Sequence, residues 1–274
     1  MYQRDSISVV IPCFNVAKFV RPTLESLRWC DEVIIVDMYS TDETKELCLS
    51  YPNVKFYENK DFIYANVNYG IERATSKWIM RLDSDEIVTE ELKEEIITKV
   101  LANPQNVFDG FDARSEVYFM GYLIKYGFGG ENWRGTLFKK GMAHYMARSE
   151  HEDLQKKGNW GRLVNRYLHY TNQTISMWVN KINYYSDKDI SRWDPKTGEK
   201  MTMLKSFYRT IRWFQRYYIY PHKAYKDGIP GLVIGVIAAM GLLIMYLKQW
   251  EVQQRYLKGE ESFPDHPNAR WPKK

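Results

Sequence analysis

The first hundred or so residues alternate short apolar runs with amphipathic segments, and that pattern restricts the possible folds more than anything else in the chain. Ile7–Pro12 is an apolar run, as expected of a strand covered on both faces. A helix entered at Pro22 follows, with Val20, Leu24 and Leu27 on one face. Val33–Asp37 reads as a second buried strand, and Ser40 with Glu43 has capping-box spacing for a second helix. Val54–Tyr57 is a third strand, Tyr64–Thr75 a helix, and Trp78–Leu82 a fourth strand. After Thr89 a further helix carries Glu90 and Glu91 at its positive end and turns Leu92, Ile96 and Val100 inward. The alternation predicts an α/β fold with a Rossmann-related, mostly parallel sheet flanked by helices. Right-handed crossovers then collect function at the carboxyl ends of the strands. Asn15, Asp37 and the run Asp83-Ser84-Asp85-Glu86 all fall at such ends.

Several classes of protein are disfavoured. A nucleotidyltransferase or dinucleotide oxidoreductase needs a glycine-rich loop after the first strand, where this chain has Pro12-Cys13-Phe14-Asn15. The three cysteines lack CxxC spacing, which excludes a zinc ribbon or a disulfide scaffold and fits a reducing compartment. A net charge of +5 gives no signal for nucleic acid.

Asp83 and Asp85 flank one residue. On an extended loop, that spacing lets two carboxylates reach one hard cation while Ser84 points away. Mg²⁺ and Mn²⁺ accept carboxylate oxygens together with substrate phosphates, so a strand-end pair suits a metal–diphosphate. The alternative for an isolated pair of this kind is an acidic turn leading into the Thr89 helix. For Asp37, hydrogen bonding to a uracil or ribose and capping of the next turn remain equal alternatives, whereas Asp42 is expected to steady the first turn of the second helix.

In order, ISVVIPCFN, DEVIIVDMYSTDET and ANVNYGIERATSKWIMRLDSDE resemble the inverting family-2 glycosyltransferases of GT-A fold, closest to the lipopolysaccharide-core and envelope-glycan glucosyltransferases. The resemblance extends to WRGTLFKK, the His151-Glu152 and His169-Tyr170 pairs, and DGIPGL before a hydrophobic helix. It implies a nucleotide-sugar donor, UDP-sugar by preference, with Mn²⁺ or Mg²⁺. Pro12, Asn15 and Asp37 would line the nucleoside pocket, Asp83 would lie against ribose or diphosphate, and Asp85 would hold the metal, with Asp83 and His169 beside it. An Arg-Asn pair frequent in the subgroup reads Val67-Asn68 here. Asn68 is kept as a donor contact, and Arg73, Arg81 or Arg134 would replace the missing arginine.

Inversion requires a carboxylate to take the proton of the acceptor hydroxyl. The dense cluster Glu150, His151, Glu152 and Asp153 supplies candidates. By the resemblance Glu152 is the first choice of base and Glu150 the second, with His151 orienting the carboxylate or binding acceptor. Trp133, in a glycine-rich aromatic loop, is read either as a lid over the sugar or as core.

The last hundred or so residues read as helical and basic. Leu204, Phe207, Tyr208, Ile211, Phe214 and Tyr218 recur at helical spacing beside Lys205, Arg209, Arg212 and Arg216, and residues 201–226 contain no acidic side chain. An interfacial helix on anionic lipid has this pattern. Residues 229–247 carry no charge, a length at the lower end of a membrane span. The expected organisation is a catalytic domain over 1–170, with a nucleotide-sugar half at about 1–103 and an acceptor half at about 104–170, and a membrane-associating region over 171–274. With no signal peptide read ahead of Ile7, the catalytic part is expected on the cytoplasmic face of the inner membrane. Its acceptor would be a membrane-linked glycan or lipid carrier. A non-enzymatic alternative is a membrane-bound glycan-binding scaffold with a decayed transferase fold.

Overall fold

The structure, a computed structural model, describes residues 4–61, 63–129, 133–147, 153–171 and 174–259. Two compact units emerge, one built on 1–116 and 131–170, the other on 117–130 and 171–274.

In the first unit β1 (Ile7–Cys13), α1 (Val20–Ser26), β2 (Glu32–Asp37), α2 (Thr44–Leu49), β3 (Val54–Glu58), α3 (Ile63–Arg73) and β4 (Trp78–Arg81) follow one another. They are succeeded by the two-residue β5 (Glu86–Ile87) and by α4 (Glu90–Glu95), which continues as a π-helical turn over Ile96–Leu101. Next along the chain come β6 (Gly110–Phe119), β7 (Tyr122–Ile124), which belongs to the second unit, β8 (Arg134–Lys139), β9 (Ala143–His144), β10 (Gln155–Lys156) and β11 (Trp160–Thr171). The large sheet runs β3-β2-β1-β4-β8-β6-β11-β5, with β7 paired to β6. β3, β2, β1 and β4 are mutually parallel, whereas β8 joins β4 antiparallel. The parallel character read from the sequence therefore belongs to the N-terminal strands, and the sheet is extended beyond β4 by antiparallel pairing of β8 with β4 and of β6 with β8.

Side-chain alternation explains the layers. Ile7, Val9 and Ile11 of β1 point into one core with Leu24 of α1, Cys48 of α2 and Leu92, Ile96 and Val100 of the α4 segment. Val10 of β1, with Ile34 and Val36 of β2, points into the opposite core with Val67 and Ile71 of α3. The sheet is thus covered on both faces, which is why its strands lack polar alternation. α3 lies so close that a Cβ on Gly70 would collide with Val10 Cγ1.

Two local expectations give way. The second helix begins at Thr44, not at a Ser40–Glu43 box, because Ser40 is engaged elsewhere and Glu43 makes no capping bond. Asp42 performs the task instead, accepting from Thr44 N at 3.2 Å and Thr44 Oγ1 at 2.5 Å. The first helix opens at Val20, so Pro22 falls inside its first turn, where its missing N–H costs nothing.

The second unit contains α5 (Ile175–Arg192), α6 (Met203–Tyr218), a 3₁₀ turn at Ala224–Asp227 and α7 (Gly228–Leu257). Thr174 and Thr202 cap α5 and α6 by accepting from Met177 N and Lys205 N. Both helices pack on α7. A Cβ on Gly235 would lie 3.0 Å from Phe214 and Tyr217 of α6, and one on Gly241 would lie 3.0 Å from Ile182 of α5. Lys248 of α7 reaches Asp187 of α5 at 2.5 Å. Asp227 fastens the β7 segment by accepting from Lys125 N and Tyr126 N at 3.1 and 2.9 Å.

Buried Glu95 pins α4 to β11. Its carboxylate accepts from Val164 N at 2.9 Å, Asn165 N at 2.8 Å and Lys99 Nζ at 2.9 Å. Burial alone would raise its pKa, but these donors hold it below the ordinary 4.5. The resulting stabilisation is complete above the ordinary value and is lost as pH falls through the lowered one. Glu95→Ala, which strands the two backbone N–H groups, is expected to cost about 2–4 kcal/mol at pH 7. Urea melts of both proteins should show the gap narrowing as the buffer is taken below the lowered pKa. A gap that does not change with pH would rule out the carboxylate as its source.

Candidate active site

β1 and β2 end side by side, Pro12 opposite Val36 and Cys13 opposite Asp37. Beyond them the backbone takes left-handed conformations at Asn15 (φ 52°) and Tyr39 (φ 59°). Asn15 tolerates this region better than most residues, while a bulky tyrosine there carries strain of the kind concentrated at functional sites. Hydrogen bonds close the two strand ends together. Asp37 accepts from Ser40 N at 2.7 Å and from Ser40 Oγ at 2.5 Å. Ser40 Oγ accepts from Asn15 N at 2.7 Å, and Asn15 Oδ1 accepts from Thr41 N at 2.8 Å. Of the three residues read as a nucleoside pocket, Asn15 is exposed while Pro12 and Asp37 are buried.

On the other side of β1, β4 ends in the acidic run. Arg81, the last residue of β4, is buried, and its guanidinium donates to both oxygens of Asp83 at 3.0 and 2.7 Å. Arg134, the first residue of β8, donates to Asp83 Oδ2 at 3.2 Å and to Glu86 Oε2 at 2.6 Å. Glu86 also accepts from Asp83 N at 2.8 Å. Burial pushes the Asp83 pKa up, but Arg81 and then Arg134 outweigh it and hold the carboxyl below its ordinary value. The Arg134 guanidinium sits 5.2 Å from the centre of the Tyr167 ring of β11.

Asp85 faces a different partner. β11 pairs antiparallel with β5, His169 opposite Glu86, and Tyr170 N donates to Asp85 O at 3.0 Å. This register brings His169 Nε2 to 3.5 Å from Asp85 Oδ1. Burial lowers the imidazole pKa, yet the hydrogen bond and charge of Asp85 more than reverse that and leave it raised. From α1, buried Thr23 steadies the loop by donating Oγ1 to Ser84 O at 2.9 Å. Asp83, Asp85, His169 and Arg134 therefore meet at one place. Asp83 is committed to two arginines, and Asp85 is left to the histidine.

The remaining candidates have other partners. Asn68 gives its whole amide to Tyr145: Nδ2 donates to Tyr145 O at 2.7 Å and Oδ1 accepts from Tyr145 N at 3.0 Å. Arg73 lies on the Tyr69 ring at 3.2 Å from its centre, so of the three candidate arginines Arg81 and Arg134 are at the acidic run. Trp133 has Arg114 and Arg162 over its ring at 4.3 and 4.5 Å. Glu150, His151 and Glu152 lie outside the described residues.

Sequence reasoning gave Glu86 no role and Arg81 only a provisional one. Period-two alternation offered a signal, since Arg81 and Asp83 are two apart along an extended segment and share a side. Tyr167 and the β11 register had none, because strand pairing across some eighty residues leaves no local mark.

As regards metal, no group of three or more His, Cys, Asp or Glu side chains converges among the described residues. The donors present are a carboxylate and an imidazole from two strand ends. They suit a hard or borderline divalent cation that takes its remaining ligands from phosphate and water, as Mg²⁺ and Mn²⁺ do.

Residues 8–152 match the family described as Glycosyl transferase family 2. The lipopolysaccharide core biosynthesis glycosyltransferase LpsC of Rhizobium meliloti is 26% identical over 97% of this chain and 98% of its own. An uncharacterized glycosyltransferase, RT0209, of Rickettsia typhi is 23% identical over 73% of each chain. A crystal structure of S. aureus TarS 1–349 in complex with UDP-GlcNAc superposes with a TM-score of 0.50 at 13% identity, over 97% of this chain and 95% of that one.

Arg134→Met leaves buried Glu86 without its cation and is expected to cost about 3–5 kcal/mol. Adding Glu86→Leu should recover much of the loss. A double-mutant cycle from chemical denaturation measures the coupling, and strict additivity would show that the pair does not interact.

Proposed function

This chain belongs to glycosyl transferase family 2 and is a glycosyltransferase, and we propose that it moves a sugar, with inversion, from a UDP-sugar to a hydroxyl of a membrane-linked glycan or lipid carrier during cell-envelope polysaccharide synthesis. The observation carrying this reading is the strand-end cluster, in which Asp83 is held ionised by Arg81 and Arg134 while Asp85 faces His169. UDP-GlcNAc in the similarly folded TarS supports the donor class, and the name of the rhizobial relative supports an envelope glycan.

In this reading Asn15 and Asp37 border the nucleoside, and Arg134 faces the diphosphate. Asp85 and His169 hold Mn²⁺ or Mg²⁺. When bound, the ion supplies positive charge to the departing diphosphate. Glu152 takes the proton of the attacking hydroxyl, with Glu150 as the alternative base and His151 beside it. The experiment is a donor screen by nucleotide release, with Mn²⁺ present and membrane extract as acceptor. Chelation should abolish release, and either cation should restore it. Asp85→Ala should be inactive yet folded; full turnover of that variant in EDTA would refute the metal assignment. Glu152→Gln should lower kcat by roughly a hundredfold while donor binding survives. Near-normal turnover would transfer the role to Glu150 or Asp153.

The second unit supports membrane attachment. Among the described residues α7 is the one helix long and apolar enough to cross a bilayer. Ile229, Leu232, Val236 and Met240 are exposed along it at spacings of three and four, a single stripe, as are Leu204, Phe207, Tyr208 and Ile211 on α6. α5 and α6 accompany α7 and carry Lys181, Asp187, Arg209, Arg212 and Arg216. Crossing in this packing would take those charges into hydrocarbon at a cost of several kcal/mol. The favoured arrangement is therefore a helix lying in the cytoplasmic interface of the inner membrane by its exposed stripe. Membranes washed in high salt should keep the protein, and detergent should release it. Truncation near Asp227 should make binding salt-sensitive, and truncation near Lys200 should leave the chain largely soluble. The intact protein appearing in the high-salt supernatant would contradict this arrangement.

A further inference from the structure

A second charged feature lies wholly within the helical unit. Between α6 and α7 is a cavity of about 540 Å³, lined on one side by Arg209, Arg212, Arg216 and His222. The arginines sit at 209, 212 and 216, spacings of three and four that put them on one face of α6. Trp213, Leu242 and Tyr246 form apolar and aromatic walls. Among the described residues no acidic side chain lines the space.

The charges are unequally compensated. Arg209 donates to both oxygens of Glu199 at 2.6 and 2.8 Å. Arg212 donates to Tyr208 Oη at 3.3 Å and lies over the same ring, and it has no ion-pair partner among the described residues. Arg216 has no ion-pair partner among the described residues. Two guanidiniums thus face one concave space without a carboxylate. A concavity with low-dielectric walls focuses such a field and draws in an anion. Guanidinium forks match phosphoryl oxygens in shape and charge. A single bound phosphoryl group would satisfy both forks.

We propose that this cavity is a binding site for a phosphoryl group, supplied by a phospholipid headgroup or by free phosphate and separate from the donor site. Ordinary electrostatic attraction of a basic helix to a membrane does not need such a cavity. It depends on total charge, whereas this site depends on Arg212 and Arg216. That difference is testable whether or not the protein transfers a sugar, and EDTA removes any contribution from a metal–diphosphate at the strand ends.

The experiment uses the full-length protein in EDTA at physiological salt. In the first arm, vesicles of phosphatidylcholine with phosphatidic acid are floated with wild type, with Arg212→Gln/Arg216→Gln, and with Lys181→Gln/Lys205→Gln as a control of equal charge. The cavity variant should lose affinity by well over the roughly thirtyfold that removing any two basic residues from an anionic surface can cost. The control should lose much less. In the second arm, hydrogen exchange of wild type is followed with millimolar inorganic pyrophosphate. Slower exchange over 208–222 with no preference for phosphatidic acid vesicles makes free phosphate the source and still supports the site. Equal losses in the two variants, together with unchanged exchange over 208–222, overturn it. The second arm needs no variant, so misfolding of the double glutamine protein does not rescue the proposal.

Discussion

The salt-bridge cluster at the end of β4 is the interaction on which the rest of the first unit depends. Arg81 and Glu86 are both buried, Glu86 with its side chain only 1% exposed. Neither is tolerable alone, because an unpaired ion in a low-dielectric interior costs several kcal/mol. Arg134 resolves this from β8 by bridging Asp83 and Glu86, which requires β8 to lie antiparallel against β4. The sheet's change from parallel to antiparallel is thus tied to charge balance at the site. The same pairing leaves Asp85 uncommitted to arginine and turned toward His169, itself delivered by the β11–β5 register. The cluster thus gives neighbouring carboxylates different partners, two arginines for Asp83 and a histidine for Asp85.

Most of the parallel half was legible in the sequence because its physics is local. A strand buried on both faces has to be apolar throughout, and Val33–Val36 or Trp78–Met80 show that without reference to the rest of the chain. The Thr89 cap and the inward Leu92, Ile96 and Val100 are likewise set within a few turns. Asp42 was legible as a turn-stabiliser for the same reason. The antiparallel half was harder to read. β11 alternates exposed and buried positions unevenly, and its role follows from pairing with β5, far away in sequence. Ser40 shows how a correct local pattern loses to tertiary demand: its hydroxyl is taken by Asp37 and Asn15 before it can cap a helix.

Legibility of the site followed the same division. Asp83 and Asp85 were visible from spacing and from their place after an apolar strand, but their unequal commitments were not. Those depend on two arginines, one of which arrives fifty residues later. Asn68, expected at the donor, has its amide engaged by the Tyr145 segment, where a buried backbone N–H and C=O need partners. In the helical unit the basic and apolar periodicities of α6 were both apparent, yet the pairing of Lys205 and Arg209 with Glu199 was not, since that carboxylate precedes the helix. Of the basic residues on α6, Arg212 and Arg216 have no ion-pair partner among the described residues, and both line the space between α6 and α7, the helix that carries the exposed apolar stripe.

The central claim is that Asp85 and His169 form half a metal site that a nucleoside diphosphate completes. Titration of Mn²⁺ into the full-length protein, followed by electron paramagnetic resonance with and without UDP, tests it most directly. Two protein ligands give weak Mn²⁺ binding alone, and UDP should tighten it by at least about tenfold, with UDP affinity raised by the same factor through linkage. Substituting Asp85 by asparagine should remove the coupling while leaving the fold intact. UDP that binds equally well in EDTA, with Mn²⁺ affinity indifferent to UDP, would contradict the account.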